Sequence, residues 1–225
     1  MTIAAVVTAA GSGTRLGRSV PKALVPIGGT PMVVWAASAA ARVCDRVIVT
    51  APADALGDVE EALRAAGVDA LVVAGGEYRQ ESVALGLAAI GSDDGAGWDA
   101  IVVHDAARPF APVEVFERAL GGLDDADGVI PVIPVVDTVV RTGSGLPIYL
   151  DRSELQAVQT PQAFKPDALL DAHARAARDG VSATDDGSLL THYGYRVATC
   201  EGDLASRKVT YAEDIEHLER TAVRS

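Results

Sequence analysis

The chain has 225 residues, 49% hydrophobic and 22% charged, a balance that excludes a disordered polypeptide and leaves ample length for a buried core. Its 19 Lys and Arg face 31 Asp and Glu, a net charge of −12, so its general field does not favour nucleic acid or an anionic membrane surface. No apolar run approaches the roughly 20 residues of a membrane span; Met1 to Ala10 lack a basic leader pattern, and two cysteines, Cys44 and Cys200, fit a reducing compartment, so a cytoplasmic protein without a signal peptide is expected.

Short β-branched runs alternate with helical patterns. Ile3–Thr8 reads as a strand, and a Gly-rich loop follows it directly. Pro31–Arg42 reads as a helix, with Thr30 as its N-cap and Pro31 at the first helical position. Strands are expected at Arg46–Ala51, Ala70–Ala74, Ala100–His104 and Gly128–Pro134, and helices at Leu56–Ala66, Arg79–Ile90 and Pro112–Leu120. The stretch Gly91–Gly97 reads as a surface loop. Strands apolar almost throughout suit a parallel sheet covered on both faces, so the alternation predicts a doubly wound, mostly parallel α/β fold. After Pro134 the rhythm breaks. Residues 135–150 read as two extended segments around the turn Thr142-Gly-Ser-Gly145, a β-hairpin arm leaving the sheet. Helices then follow at Lys165–Arg178 and Asp186–Tyr193, a strand at Arg196–Cys200 and a last helix at Tyr211–Val223, with Thr210 and Glu213 as its capping box. Residues 1–225 are read as one domain, with an inserted arm at about 135–158 used in dimerisation.

The loop Ala9-Ala-Gly-Ser-Gly-Thr-Arg-Leu-Gly17 can wrap phosphates, because backbone N–H groups point inward where no Cβ intervenes. A dinucleotide fingerprint would need a third glycine one place earlier and an acid at the end of the second strand, which instead ends in Val49-Thr-Ala-Pro52. A Walker A loop needs a G-x-x-x-x-G-K-[ST] pattern that is absent. An ordinary tight turn is the bland alternative. Charge favours the phosphate reading. Arg15, Arg18, Lys22 and Arg42 all precede the first acidic residue, Asp45, so residues 1–44 carry +4 and the remainder −16. Lys22 is also one of only three lysines, with Lys165 and Lys208. A cation over a triphosphate stabilises charge as the α-phosphorus becomes five-coordinate.

Other segments carry possible chemistry. Gly75-Gly-Glu-Tyr-Arg-Gln-Glu-Ser-Val83 offers close backbone approach and the Ser82 hydroxyl, or simply a capped strand-to-helix turn. In His104-Asp-Ala-Ala-Arg-Pro109, Asp105 stands at the carboxyl end of a strand, where it can hold Mg²⁺ or merely pair with Arg108. His104 has no partner at metal-ligand spacing and reads as structural. Thr138 and Arg152 flank the arm, and an Arg with a hydroxyl suits a phosphate monoester. Thr160-Pro-Gln-Ala-Phe164 reads as a constrained extended segment without chemistry of its own, and Thr184-Asp-Asp186 as helix capping. Lys208, in Ser206-Arg-Lys-Val-Thr210, is by position alone a surface lysine.

In order, AAGSGTRLG…PKAL, AGGEYRQESV, VHDAARP, PVVDTV, DR…VQTPQAF, TDDGSLL and KVT..ED resemble the 2-C-methyl-D-erythritol 4-phosphate cytidylyltransferase family across residues 9–214. The resemblance implies a Rossmann-like nucleotidyltransferase core, a projecting β-arm, a homodimer, CTP and an alcohol phosphate as substrates, Mg²⁺, and release of pyrophosphate. It assigns Arg15 and Lys22 to the transition state at the CTP α-phosphate, and Asp105 to Mg²⁺. Ala9, Ala10, Gly76 and Ser82 fall around the cytosine, Ala106 near the ribose, and Gly11 and Gly13 in the nucleotide loop. Thr138 and Arg152 fall in the acceptor pocket, supplied across the dimer, and Lys208 positions the attacking phosphate. Val140, Gln156, Ser206, Arg207 and Gly187 differ from the family's commoner residues, mostly on the arm and acceptor side. A ribitol 5-phosphate acceptor, a sugar-1-phosphate nucleotidyltransferase and a non-catalytic nucleotide-binding module remain the alternatives.

Overall fold

In the computed structural model, which describes residues 1–11, 13, 20–91, 97–143 and 145–222, the first strand is buried on both faces. Ala5 and Val7 of β1 (Ile3–Thr8) join one apolar cluster and Ala4 and Val6 another, because successive strand side chains point to opposite faces. The expected loop at 91–97 falls largely outside the described residues.

A two-residue ribbon, β2 (Pro26–Ile27) with β3 (Thr30–Pro31), leads into α1 (Met32–Ala41). Then come β4 (Arg46–Ala51), α2 (Leu56–Ala65), β5 (Leu71–Ala74), α3 (Arg79–Gly91), β6 (Ala100–Asp105), α4 (Val113–Gly121) and β7 (Gly128–Pro134). The arm strands β8 (Val140–Arg141) and β9 (Ile148–Tyr149) precede β10 (Gln156–Val158) and β11 (Gln162–Phe164). The chain ends with α5 (Pro166–Asp179), α6 (Asp186–His192), β12 (Val197–Glu201) and α7 (Ala212–Ala222). No described helix is long and apolar enough to cross a membrane.

The main sheet runs β10-β7-β11-β6-β1-β4-β5, with β12 on the other edge of β7. β6, β1, β4 and β5 are mutually parallel, while β11 is antiparallel to both β6 and β7. Helices cover both faces. Val33 of α1, Leu63 of α2 and Phe116 of α4 are buried on one, and Val83 of α3, Leu169 of α5 and Leu189 of α6 on the other.

Two features of this topology position the site. From β1 the chain moves outward to β4 and β5, then returns to lay β6 on the opposite side of β1. This reversal opens a crevice at the carboxyl ends of β1 and β6, where open α/β sheets bind ligands, and Thr8 and Asp105 stand side by side there. The second feature is a break in the strand returning from the arm. β10 pairs Val158 with Val132, and β11 pairs Ala163 with Val129, so Gln159–Gln162 bulge against two residues of β7. The bulge includes a cis Thr160–Pro161 bond and carries Thr160 to the end of β6. The arm itself is a short antiparallel ribbon, Val140 opposite Tyr149.

Two expected caps are replaced. Thr30 belongs to the β2–β3 ribbon, and Pro31 precedes α1 without a side-chain cap. At α7 the Asp214 carboxylate, rather than that of Glu213, accepts from the backbone N–H groups of Thr210 and Tyr211 at 2.8 and 2.9 Å.

Cys44 lies in the core, and burial, together with the adjacent Asp45 carboxylate, pushes its thiol up to about 12. Cys200 is half-buried, and its thiol is raised by burial, partly offset by Arg118. Cys44 should therefore resist a thiol-labelling reagent near pH 8 until the protein unfolds, and Cys200 should label first. Because the folded thiol titrates above its unfolded value, its contribution to stability is fully present below roughly pH 8.5 and is progressively lost as pH rises toward 12. Unfolding midpoints measured across that range should fall less steeply in Cys44→Ala than in the parent chain.

Candidate active site

The crevice holds a cavity of about 290 Å³. Its walls come from the loop after β1, the loop after β5, the end of β6 and the segment before α7. Close packing of the first two loops depends on glycine. Gly13 has φ +62°, and a Cβ there would lie 2.5 Å from Cβ of Lys22. A Cβ on Gly75 would lie 2.3 Å from Cβ of Ala10, so only glycine lets the two loops meet. Ser82, in the first turn of α3, accepts from the Gly76 N–H at 3.1 Å and donates to the Tyr78 carbonyl at 3.1 Å, which holds the second loop in shape.

The charged centre is Asp105, which is buried. Its Oδ1 accepts from Arg79 Nε at 2.8 Å and from Thr8 Oγ1 at 3.3 Å, and its Oδ2 accepts from Lys208 Nζ at 2.6 Å. Burial by itself raises the Asp105 pKa, but the Arg79 and Lys208 charges and their hydrogen bonds outweigh it and hold the carboxyl well below the usual range. Arg79 reaches a second buried carboxylate, donating from Nη1 to Asp186 Oδ2 at 2.7 Å. Asp186 Oδ1 stands 2.9 Å from His173 Nε2. Burial raises the Asp186 pKa too, and again Arg79 and His173 reverse the effect.

The bulged strand buttresses this centre. Thr160 Oγ1 accepts from the backbone N–H of Asp105 at 3.0 Å and lies 3.0 Å from His104 Nδ1. His104 is fully buried, and desolvation pushes its pKa down to about 4. Arg108 does not pair with Asp105; it donates to the carbonyls of Ser206 at 2.7 Å and Val158 at 3.3 Å. Lys22 Nζ donates to the Val209 carbonyl at 2.5 Å, which sets it beside the Lys208 segment.

Ala9, Ala10, Gly11, Gly13, Lys22, Gly76, Ser82, Asp105, Ala106 and Lys208 thus share one cavity wall. Arg15 lies outside the described residues. Thr138 and Arg152 are exposed on the arm and line no part of this cavity, and Arg152 donates to the Val136 carbonyl at 2.7 Å. Three partners escape a reading of the sequence. Arg79 sits in a recognisable motif without an assigned role. Thr160 has no visible chemistry of its own. Asp186 resembles a cap, whereas Asp185 is the cap, its carboxylate taking the Ser188 N–H while Ser188 Oγ takes that of Asp185. Arg79 and Asp186 lie 107 positions apart, so only their apolar surroundings and opposite charges hint at a pair.

Among the described residues no group of three or more His, Cys, Asp or Glu side chains is arranged to hold a metal ion. Asp105 nonetheless fits Mg²⁺, which accepts one carboxylate when phosphate oxygens and water complete its shell.

A mostly parallel α/β sheet with Lys22, Arg79 and Lys208 gathered in a cavity at its switch point suits the nucleotidyltransferase class. The family model for 2-C-methyl-D-erythritol 4-phosphate cytidylyltransferase matches residues 3–222. A relative of that name from Streptomyces avermitilis is 41% identical over 94% of this chain and 88% of its own length. The crystal structure of the enzyme of that name from Thermus thermophilus superposes with a TM-score of 0.80 at 32% identity, covering 97% of this chain and 98% of that one. The chain belongs to the 2-C-methyl-D-erythritol 4-phosphate cytidylyltransferase family.

The two loop glycines should differ under substitution. The nearest atoms to a Cβ on Gly76 belong to the flexible Glu81 side chain, whereas one on Gly75 meets Ala10. Gly75→Ala should cost about 1–3 kcal/mol of stability and Gly76→Ala clearly less, as read from denaturant midpoints.

Proposed function

We propose that the chain transfers CMP from CTP to 2-C-methyl-D-erythritol 4-phosphate, forming 4-diphosphocytidyl-2-C-methyl-D-erythritol and pyrophosphate for non-mevalonate isoprenoid precursor synthesis. The observation that carries this reading is the meeting of Lys22, Asp105 and Lys208, from three distant segments, in the cavity beside the Gly-rich loop.

A phosphate oxygen of the acceptor attacks the α-phosphorus of CTP, and the bond to the pyrophosphate oxygen breaks in line. No general base is required, because a phosphate monoester is already ionised near neutral pH. The protein's part is orientation and charge stabilisation. Lys22 and Arg15 stabilise the charge that builds on the α-phosphate, and Lys208 holds the attacking phosphate. The close walls at Ala9, Ala10, Gly76 and Ser82 receive the cytosine, Ala106 lies at the ribose, and the N–H groups of Gly11 and Gly13 face the phosphates. Asp105 would hold Mg²⁺, which when bound neutralises triphosphate charge.

The working unit is a cytoplasmic homodimer, in which Thr138 and Arg152 of one arm complete the acceptor pocket of the neighbour. Support comes from the arm's exposed apolar surface, where Val136, Leu146 and Tyr149 are 77%, 86% and 73% accessible.

Lys22→Ala should lower kcat by about 10²–10³ while its melting temperature stays close to that of the parent. Near-normal turnover in the folded variant would defeat the assignment. Pyrophosphate release should be rapid with CTP and methylerythritol phosphate and slow with ribitol 5-phosphate or with UTP. Light scattering at micromolar concentration should report a dimer, and a fully active monomer would exclude donation by the partner's arm.

A further inference from the structure

We infer that Arg79 is a positioning residue, which clamps one oxygen of Asp105 through a buried bridge to Asp186 and His173 and leaves the other oxygen as the exchangeable one. The inference rests on the proposed role of Asp105 toward Mg²⁺.

The two oxygens of Asp105 have unlike partners. Oδ1 is held by Arg79 and Thr8, both inside the sheet-end crevice. Oδ2 is held by Lys208, whose side chain is 44% exposed and sits on a segment rather than a regular element. Arg79 cannot move as Lys208 can. Its guanidinium is spread between two carboxylates that are 7% and 1% exposed, and the second is tied to His173 on α5. A planar fork with fixed donor directions suits this bridge, and a lysine's single ammonium does not.

Stability alone accounts poorly for the cluster. Buried ion networks are commonly matched or bettered by apolar residues of similar volume, and here Arg79 Nη2 is buried with no hydrogen-bond partner among the described residues. A network of that kind beside a ligand cavity is better explained by what it does to the carboxylate it holds. With Oδ1 committed to Arg79 and Thr8, Oδ2 is the oxygen that would be offered to a cation in place of Lys208.

The test measures Mn²⁺ binding to the enzyme in the presence of CTP by electron paramagnetic resonance, with turnover and melting temperature beside it. Arg79→Lys keeps the charge but loses the fork, and Asp186→Asn keeps the volume but loses the anchor. Each folded variant should bind Mn²⁺ roughly 10–100-fold more weakly. kcat should fall and recover in part at raised Mg²⁺, while KM for the acceptor alcohol phosphate stays within about twofold. A folded variant with lowered melting temperature but unchanged Mn²⁺ affinity would overturn the inference, as would failure of both variants to fold, which assigns the bridge to the fold alone. If the parent enzyme binds no Mn²⁺ with CTP, it is the reading of Asp105 that fails instead.

Discussion

A carboxylate buried at the end of a central strand dictates much of this molecule. Asp105 stays ionised out of water because Arg79 and Lys208 face it, one from the start of α3 and the other from beyond the last strand of the sheet. Each cation demands its own support. Arg79 is held by Asp186 and, through it, by α5 and α6. Lys208 is held in place when Lys22 grips the neighbouring Val209 carbonyl and Arg108 grips that of Ser206. A single desolvated charge thereby ties the first loop, the middle of the sheet and the C-terminal segment into one cavity.

The bulge in the returning strand serves the same centre from behind. It places the Thr160 hydroxyl between the Asp105 N–H and the His104 ring. The strand that carries it continues from the arm, and Arg108 also takes the Val158 carbonyl of β10. The buttress behind Asp105 and the base of the arm are therefore built from one continuous length of chain. The base of the arm is thereby mechanically joined to the carboxylate at the heart of the cavity.

Some of this was legible residue by residue. The strands β1 and β4 were readable to their ends, because a parallel sheet covered on both faces demands unbroken apolar runs, and β7 was readable from its β-branched run between Gly128 and Pro134. The Gly-rich loop, Lys22 and Asp105 stood out because close backbone approach, a rare lysine and a strand-end acid are local features. Thr30 misled as a cap because it pairs in a small ribbon, and Glu213 because its neighbour Asp214 faces the N–H groups. Neither outcome is encoded in a four-residue window.

The amino-acid sequence determined the layered α/β class, the position of the Gly-rich loop and, through ordered motifs, the family. These depend on periodicity and on short segments whose chemistry is their own. Only the tertiary structure decided which charges meet. Arg79, rather than Arg108, pairs with Asp105, and Asp186 leaves its capping neighbour to serve Arg79. Lys208 joins the same carboxylate from 103 positions away. The choice among so many acids and cations follows from burial and geometry, since a strong ion pair needs low dielectric and fixed donors, and the folded sheet alone supplies both.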